Sequence, residues 1–312
     1  MELRHLRYFQ AVAEAGHMTR AAAELGIQQP PLSQQIRALE TQLGMVLFVR
    51  HPKGVRLTDA GRLFLAEARR ILGDVSAMER RMAMVARGEQ GELSVGFTSS
   101  AAAHRFTPEA LRACRAQYPD IRLAIRENNA AEITEAVAAA RLHCGLLRVP
   151  VARPPGLVFE TLLSEGVVVA LPIDHRLAQA PKGRAGPKAP LPPLRLLALR
   201  DEGLILVRRP GAPGLYGNLL ALCESKGFRP RVVAEVDRMM SSLNLVAAGE
   251  GVSLVPASMQ GAHPHAIVYR PLAASSRLDA PLTLVCREAD MGGPTATFIA
   301  LLRSIARPWQ QA

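Results

Sequence analysis

An α/β chain with a winged, all-helical head is the fold class this sequence predicts: a winged helix-turn-helix, one long linker helix, then a two-lobed α/β domain. Three observations predict it. Helical periodicity governs the first 45 residues, an unbroken three-and-four spacing of apolar residues runs from Phe64 to Val85, and strand-like and helix-like segments alternate from residue 91 onward. A length of 312 residues exceeds one ordinary domain, and the pattern divides it at 1–58, 59–90 and 91–312.

Leu3, Leu6, Phe9, Val12 and Ala13 recur at helical spacing and predict a first amphipathic helix. The stretch MTRAAAELG predicts a short second helix ended by Gly26. In IQQPPLSQQIRALETQLG, Leu32, Ile36, Leu39 and Leu43 form one apolar stripe, and Pro30 and Pro31 fit the first turn, where a missing N–H costs nothing. Small Ala22, the turn at Gly26, and Ile27 with Leu32 locking the following helix are what a helix-turn-helix needs. The outward face of that second long helix carries Gln29, Ser33, Gln34 and Arg37, donors and acceptors able to reach base edges or phosphates in a major groove. Next, VLFVR-HPKG-VRLT predicts two short strands around a Pro-Lys-Gly turn, with Arg50, Lys53 and Arg56 projecting towards phosphates.

Thr58 is placed to cap a helix running to Gly88. Along it, Phe64, Ala68, Ile71, Val75, Met78, Met82 and Val85 make an a/d seam, which predicts pairing with a second copy of the same helix. About 30 residues at ~1.5 Å each make a rod of about 45 Å. ARGEQG then breaks the helix as a hinge.

From residue 91, ELSVGF, PEALRACRAQYP, IRLAIRE, ITEAVAAARL and HCGLLRV alternate strand and helix, predicting a mostly parallel sheet. A second set follows: VVVAL, a Pro-rich loop QAPKGRAGPKAPLPPLRLLALRDEG read as flexible, GLILV, YGNLLALCESKG, VVAEV, SSLNLVAAG and VSLVP. The chain is expected back in the first half near IVYRPL. Lobe I is thus about 91–162 and 268–312, and lobe II about 163–267. Two lobes crossed twice make a cleft that closes on a small molecule. Its strand ends carry Thr98, Ser99, Ser100, Asn128, Asn129 and Arg148 from one lobe and Val207 and Arg208 from the other. Hydroxyls, amides and arginines of this kind favour a small carboxylate.

Lys plus Arg number 38 against 27 Asp plus Glu, a net charge of +11 carried almost wholly by arginine. That excess suits a polyanion or a membrane surface without choosing between them. Cys114, Cys144, Cys223 and Cys286 are far apart and without histidines at ligand spacing, so buried reduced thiols are expected rather than zinc or disulfides. MELRHLRYFQ lacks the apolar core of an export signal, and no apolar run reaches the ~18 residues of a membrane span, so a cytoplasmic protein is expected. No G-x-S-x-G, H-E-x-x-H, phosphate-binding loop or dinucleotide fingerprint follows a strand. No catalytic residue, metal or cofactor is therefore expected, and His263 and His265 read as surface. A plain solute-binding protein would explain the cleft but leaves the first 60 residues idle; an architectural DNA binder would leave the cleft idle.

The stretches LRHLRYFQAVAEAGHMTRAAAELGI, QPPLSQQIRALETQLGMVLFVR and VRLTDAG resemble the N-terminal domain of LysR-type transcriptional regulators. VGFTSSAAAHRFTPEALRA, LPIDHRLA, PGLYGNLLALCESKGFRP and LVAAGEGVSLVPASM resemble the same family's effector domain, most nearly the branch sensing aromatic acids or acetoin-type metabolites. The resemblance implies a periplasmic-binding-protein-like effector domain, a partly palindromic double-stranded DNA site, and a homodimer or homotetramer. It implies DNA contacts at Gln29, Pro30, Ser33, Gln34, Arg37, Arg50 and Arg56, a small-molecule effector at Ser99 and Ser100, and room for contact with RNA polymerase. Gln28 stands where the family places a capping Ser, and Gln caps poorly. Cys144 stands where many relatives carry Asp.

Overall fold

The computed structural model describes residues 1–52, 54–148, 153–179, 191–207, 214–276, 278–290 and 292–310. The chain forms two compact units, Met1–Met84 and Val85–Ala312.

The first unit opens with three helices, α1 (Leu3–Ala15), α2 (Met18–Glu24) and α3 (Gln29–Leu43). Leu6, Phe9, Val12, Leu32, Ile36 and Leu39 are all nearly sealed from solvent and form its core, as the spacing predicts. The Gly16 and Gly44 caps and Gly26 hold the left-handed backbone that ends each helix. Strands β1 (Phe48–His51) and β2 (Gly54–Leu57) pair antiparallel as a hairpin, with Arg50 opposite Val55 and Val49 opposite Arg56. Its root is fixed by the Glu40 carboxylate, which accepts from the Leu47 and Phe48 amides at 2.7 and 3.1 Å. The long helix α4 (Asp59–Ala86) begins where the Thr58 hydroxyl accepts from the Gly61 amide at 2.9 Å.

The second unit contains β3 (Gly91–Phe97), α5 (Ser99–Ala102), α6 (Phe106–Gln117), β4 (Ile121–Glu127), α7 (Ala130–Ala138), β5 (Cys144–Leu147) and β6 (Leu157–Pro172). Then come β7 (Gly203–Val207), α8 (Gly214–Ser225), β8 (Arg231–Val236), α9 (Met239–Ala247), β9 (Ser253–Pro256), β10 (Ile267–Pro271), β11 (Asp279–Arg287) and α10 (Gly293–Gln310). One core gathers β3, β5, α6, β11 and α10 around Phe106 and Phe298; two others lie around β6, β7, β9 and α9. These are the cores of the two lobes.

The three strands expected to lie parallel do so, β3 pairing with β4 and β5. The rest of the sheet is antiparallel, β11 to β5 and β6, and β6 to β9 and β10. The lobe crossing is one 16-residue strand, β6, with its first part against β11 and its last part against β9 and β10. The chain also returns later than expected. Residues of β10 still pair with the lobe II end of β6, and only β11 rejoins lobe I. Residues 180–190 of the Pro-rich loop lie outside the described residues; its second half is not the flexible segment expected, because Leu194, Leu196 and Leu199 are buried in a lobe II core and Leu196–Leu199 form a 3-10 turn.

Candidate nucleic-acid interface and ligand cleft

On α3, the buried stripe Leu32, Ile36 and Leu39 leaves Gln29, Pro30, Gln34 and Arg37 exposed. No side chain caps the helix at Gln28, although Pro30 and Pro31 remove two of the donors a cap would satisfy. Gln34 and Arg37 make no side-chain hydrogen bond among the described residues. Ser33 departs from expectation. It is 8 % exposed, and its Oγ accepts from Gln29 Nε2 at 2.7 Å, so it steadies Gln29 rather than standing free on the helix surface. In the hairpin Arg50 and Arg56 are exposed, and neighbouring pairs in the register place them on opposite faces. Lys53 lies outside the described residues.

The seam of α4 divides in two. Phe64 meets Phe9 edge to face at 4.8 Å, Ala68 is fully buried, and Ile71 packs on the same core. That half is therefore occupied within its own domain, a correction to the reading of one continuous pairing seam. Spacing shows that a stripe must be covered but not by what. Val75 is half-buried, while Met78, Met82 and Val85 are exposed at 49 %, 57 % and 48 %.

In the second unit Thr98, Ser99 and Ser100 follow β3 and open α5, which packs against α9 of the other lobe. Thr98 Oγ1 accepts from the Ala101 amide at 3.2 Å. Ser100 is buried, with its Oγ 3.4 Å from Thr98 Oγ1. Ser99 is half-buried and its hydroxyl has no partner among the described residues. Asn129 caps α7: its Oδ1 accepts from the Glu132 amide at 2.9 Å while its own amide donates to Glu132 Oε2, which also takes Asn128 Nδ2. Asn129 is thus a cap rather than a free ligand group. Val207 lines a narrow apolar slot with Ile205, Leu215, Tyr216 and Met239. Arg208 lies outside the described residues.

Arg148 corrects the reading most sharply. It is 5 % exposed and pairs with Glu165 of β6 at 2.5 Å. It also donates to the Ser100 carbonyl at 2.7 Å, the Ala280 carbonyl at 3.3 Å and Ser258 Oγ at 3.1 Å. Glu165 in turn accepts from the Ser258 amide and hydroxyl at 2.6 and 2.8 Å. Burial lowers the Arg148 pKa, against the pull of Glu165. The guanidinium thus joins the end of β5 in lobe I to the turn after β9 in lobe II, with its Nη1 and Nη2 donors taken and its buried Nε without a partner among the described residues. Glu165 and Ser258 carried no local signal in the sequence; only the register of β6 brings them here. Beside them, His104 is buried with its ring 5.4 Å from that of Trp309.

All four cysteines are free and buried, and burial raises the pKa of each thiol. Among the described residues no cluster of three His, Cys, Asp or Glu could hold a metal ion, and no helix is long and apolar enough to cross a membrane.

Residues 3–62 match the bacterial regulatory helix-turn-helix protein family of lysR type, and residues 86–307 match the LysR substrate binding domain. The uncharacterized HTH-type transcriptional regulator YnfL of Escherichia coli is 40 % identical over 273 residues, 88 % of each chain. The crystal structure of CbnR, a LysR family transcriptional regulator, covers 97 % of this chain and 100 % of its own, with 32 % identity and a TM-score of 0.83. Full-length CbnR complexed with its target DNA gives 31 % identity and 0.77, covering 98 % and 100 %. With both family domains matched in order along nearly the whole chain, this protein belongs to the LysR family: a DNA-binding transcriptional regulator with a substrate-binding domain, and not an enzyme.

Proposed function

We propose that this chain acts in the cytoplasm as a homodimer, able to pair further into a tetramer, whose grip on a partly palindromic promoter is altered by a small organic carboxylate. α3 and the hairpin read the DNA through Gln29, Pro30, Gln34, Arg37, Arg50 and Arg56, and the exposed Met78, Met82 and Val85 of α4 meet a second copy. The observation that carries the ligand reading is the start of α5. Among the described residues the Ser99 hydroxyl has no partner there, and no backbone carbonyl accepts from the Ser99 and Ser100 amides beside it, a donor set suited to an anion. With Arg148 already paired, it works behind the site. A ligand that draws α5 towards α9 moves the Ser100 carbonyl, to which Arg148 donates, and so shifts the link between lobes. The family branch whose wording the effector domain resembles makes an aromatic acid or an acetoin-type metabolite the favoured class. Contact with RNA polymerase fits a promoter-bound regulator.

A crossed pair of variants tests this. Ser99→Ala should lose at least about tenfold in affinity for the best of a carboxylate panel (acetate, pyruvate, benzoate, salicylate) by calorimetry and keep its DNA affinity. Arg37→Ala should do the reverse, losing about 1–3 kcal/mol on the genomic site selected by the wild type. Full carboxylate affinity in Ser99→Ala would remove the ligand assignment.

A further inference from the structure

The hairpin's two arginines cannot do the same work. Residues 48, 50, 55 and 57 share one face of the ribbon and 49, 51, 54 and 56 the other. The first face is turned to the core, with Phe48 buried and Val55 and Leu57 half-buried. On the second, His51 and Arg56 line an open pocket of about 420 Å³ completed by Gly16, Pro52, Gly54 and Val55. Its floor is the turn between α1 and α2, held by the Val55 amide donating to the Gly16 carbonyl at 2.9 Å. Gly54, at φ +137°, is needed for that approach, because a Cβ there would lie 2.3 Å from the Gly16 oxygen. Neither His51 nor Arg56 has an acidic partner among the described residues, and no acidic residue lines the pocket.

We infer that this pocket is a phosphate seat, in which His51 and Arg56 together hold one phosphate of the DNA backbone. Two basic side chains that line one open pocket, neither with an acidic partner among the described residues, suit an oxyanion. The phosphodiester supplies it because the same unit carries α3. The inference rests on the DNA reading of the first unit and deepens it: His51 becomes a contact residue, and Gly54 the residue that positions both.

Fluorescence anisotropy of the full chain, on the selected site and on a scrambled duplex across a salt series, tests it. Arg56→Ala and His51→Ala should each weaken both duplexes by the same factor, about three- to tenfold, and Arg56→Ala should lower the salt slope by about one. Because the two share one phosphate, the double variant should lose less than the product of the single losses. Wild-type affinity in His51→Ala, a loss confined to the selected site, or fully multiplicative losses would each overturn the seat. So would inorganic phosphate stabilising the wild type but not His51→Ala against heat while duplex affinities stay equal, since the pocket would then take the free ion. If the wild type binds neither duplex, the DNA reading itself fails; that outcome is separate from unchanged affinity in the variants alone.

Discussion

The recognition face of the first unit and the cleft of the second handle polar groups in opposite ways. On α3 and the hairpin, Gln34, Arg37, Arg50 and Arg56 stand in solvent with no side-chain partner among the described residues, while in the cleft Thr98, Asn129 and Arg148 are already engaged. The difference follows from the size of what each meets. DNA lies across an exposed surface, where water satisfies every donor until phosphates and bases replace it. A small ligand needs an enclosed place, and enclosed polar groups must be satisfied whether or not the ligand is present. Exposed arginines are therefore readable as contacts, whereas a buried arginine near a cleft is more often part of its frame.

The largest effect that could break this contrast concerns the Arg148–Glu165–Ser258 group. Removing one partner strands a buried charge, so Arg148→Met and Glu165→Gln should each cost the second unit about 3–5 kcal/mol in urea unfolding. The double variant should recover part of that loss. Trp309, the only tryptophan, reports on this unit directly. If both single variants unfold within about 1 kcal/mol of wild type, Arg148 is not structural and returns to the list of ligand contacts.

A second, smaller effect divides α4. In its first half Phe64 is packed on Phe9, and Phe64→Ala should destabilise the first unit by about 2–4 kcal/mol. In the second half Met82→Asp should leave the urea stability of the first unit within about 0.5 kcal/mol when both proteins are dilute enough to be monomeric, because an exposed position contributes little to folding. It should nevertheless weaken self-association at least about tenfold in analytical ultracentrifugation, since a charge would be placed in the seam. Unchanged association in Met82→Asp would mean the pairing surface lies elsewhere.

The helical head was readable from sequence because its signals are local: caps, glycine stops and apolar stripes at Leu32, Ile36 and Leu39. The hairpin followed from the Pro-Lys-Gly turn. Long-range register was not readable. Ser164, Glu165 and Gly166 interrupt the apolar run of β6 and look like a turn, yet each pairs with β11. Only that pairing carries Glu165 to Arg148 and makes one strand serve both lobes. The α4 stripe failed for a related reason, since periodicity shows that Phe64 and Met82 are on one side and says nothing about which partner covers each.

The smallest expected effect sharpens the contrast at a titratable group. His104 is 6 % exposed, its Nδ1 accepts from the Phe106 amide at 3.0 Å, and its ring lies against Trp309. Burial lowers its pKa below the ordinary histidine value; nearby Glu165 pulls it up and Arg148 pushes it down, but burial is the largest cause. A proton on Nδ1 would also break the bond to Phe106. The folded pKa is therefore below the unfolded value of about 6.5, and the unfolded chain binds the proton first. Stability contributed by the neutral ring is present above about pH 6.5 and falls as the pH drops below it, by at most about 1.4 kcal/mol per pH unit. His104→Asn keeps an acceptor for the Phe106 amide but cannot titrate. Urea unfolding followed at Trp309 between pH 7.5 and 5.5 should show a steeper loss in the wild type than in this variant. Parallel curves would mean that His104 accepts its proton without leaving the fold, and that the frame of the cleft tolerates a charge where burial argues against one.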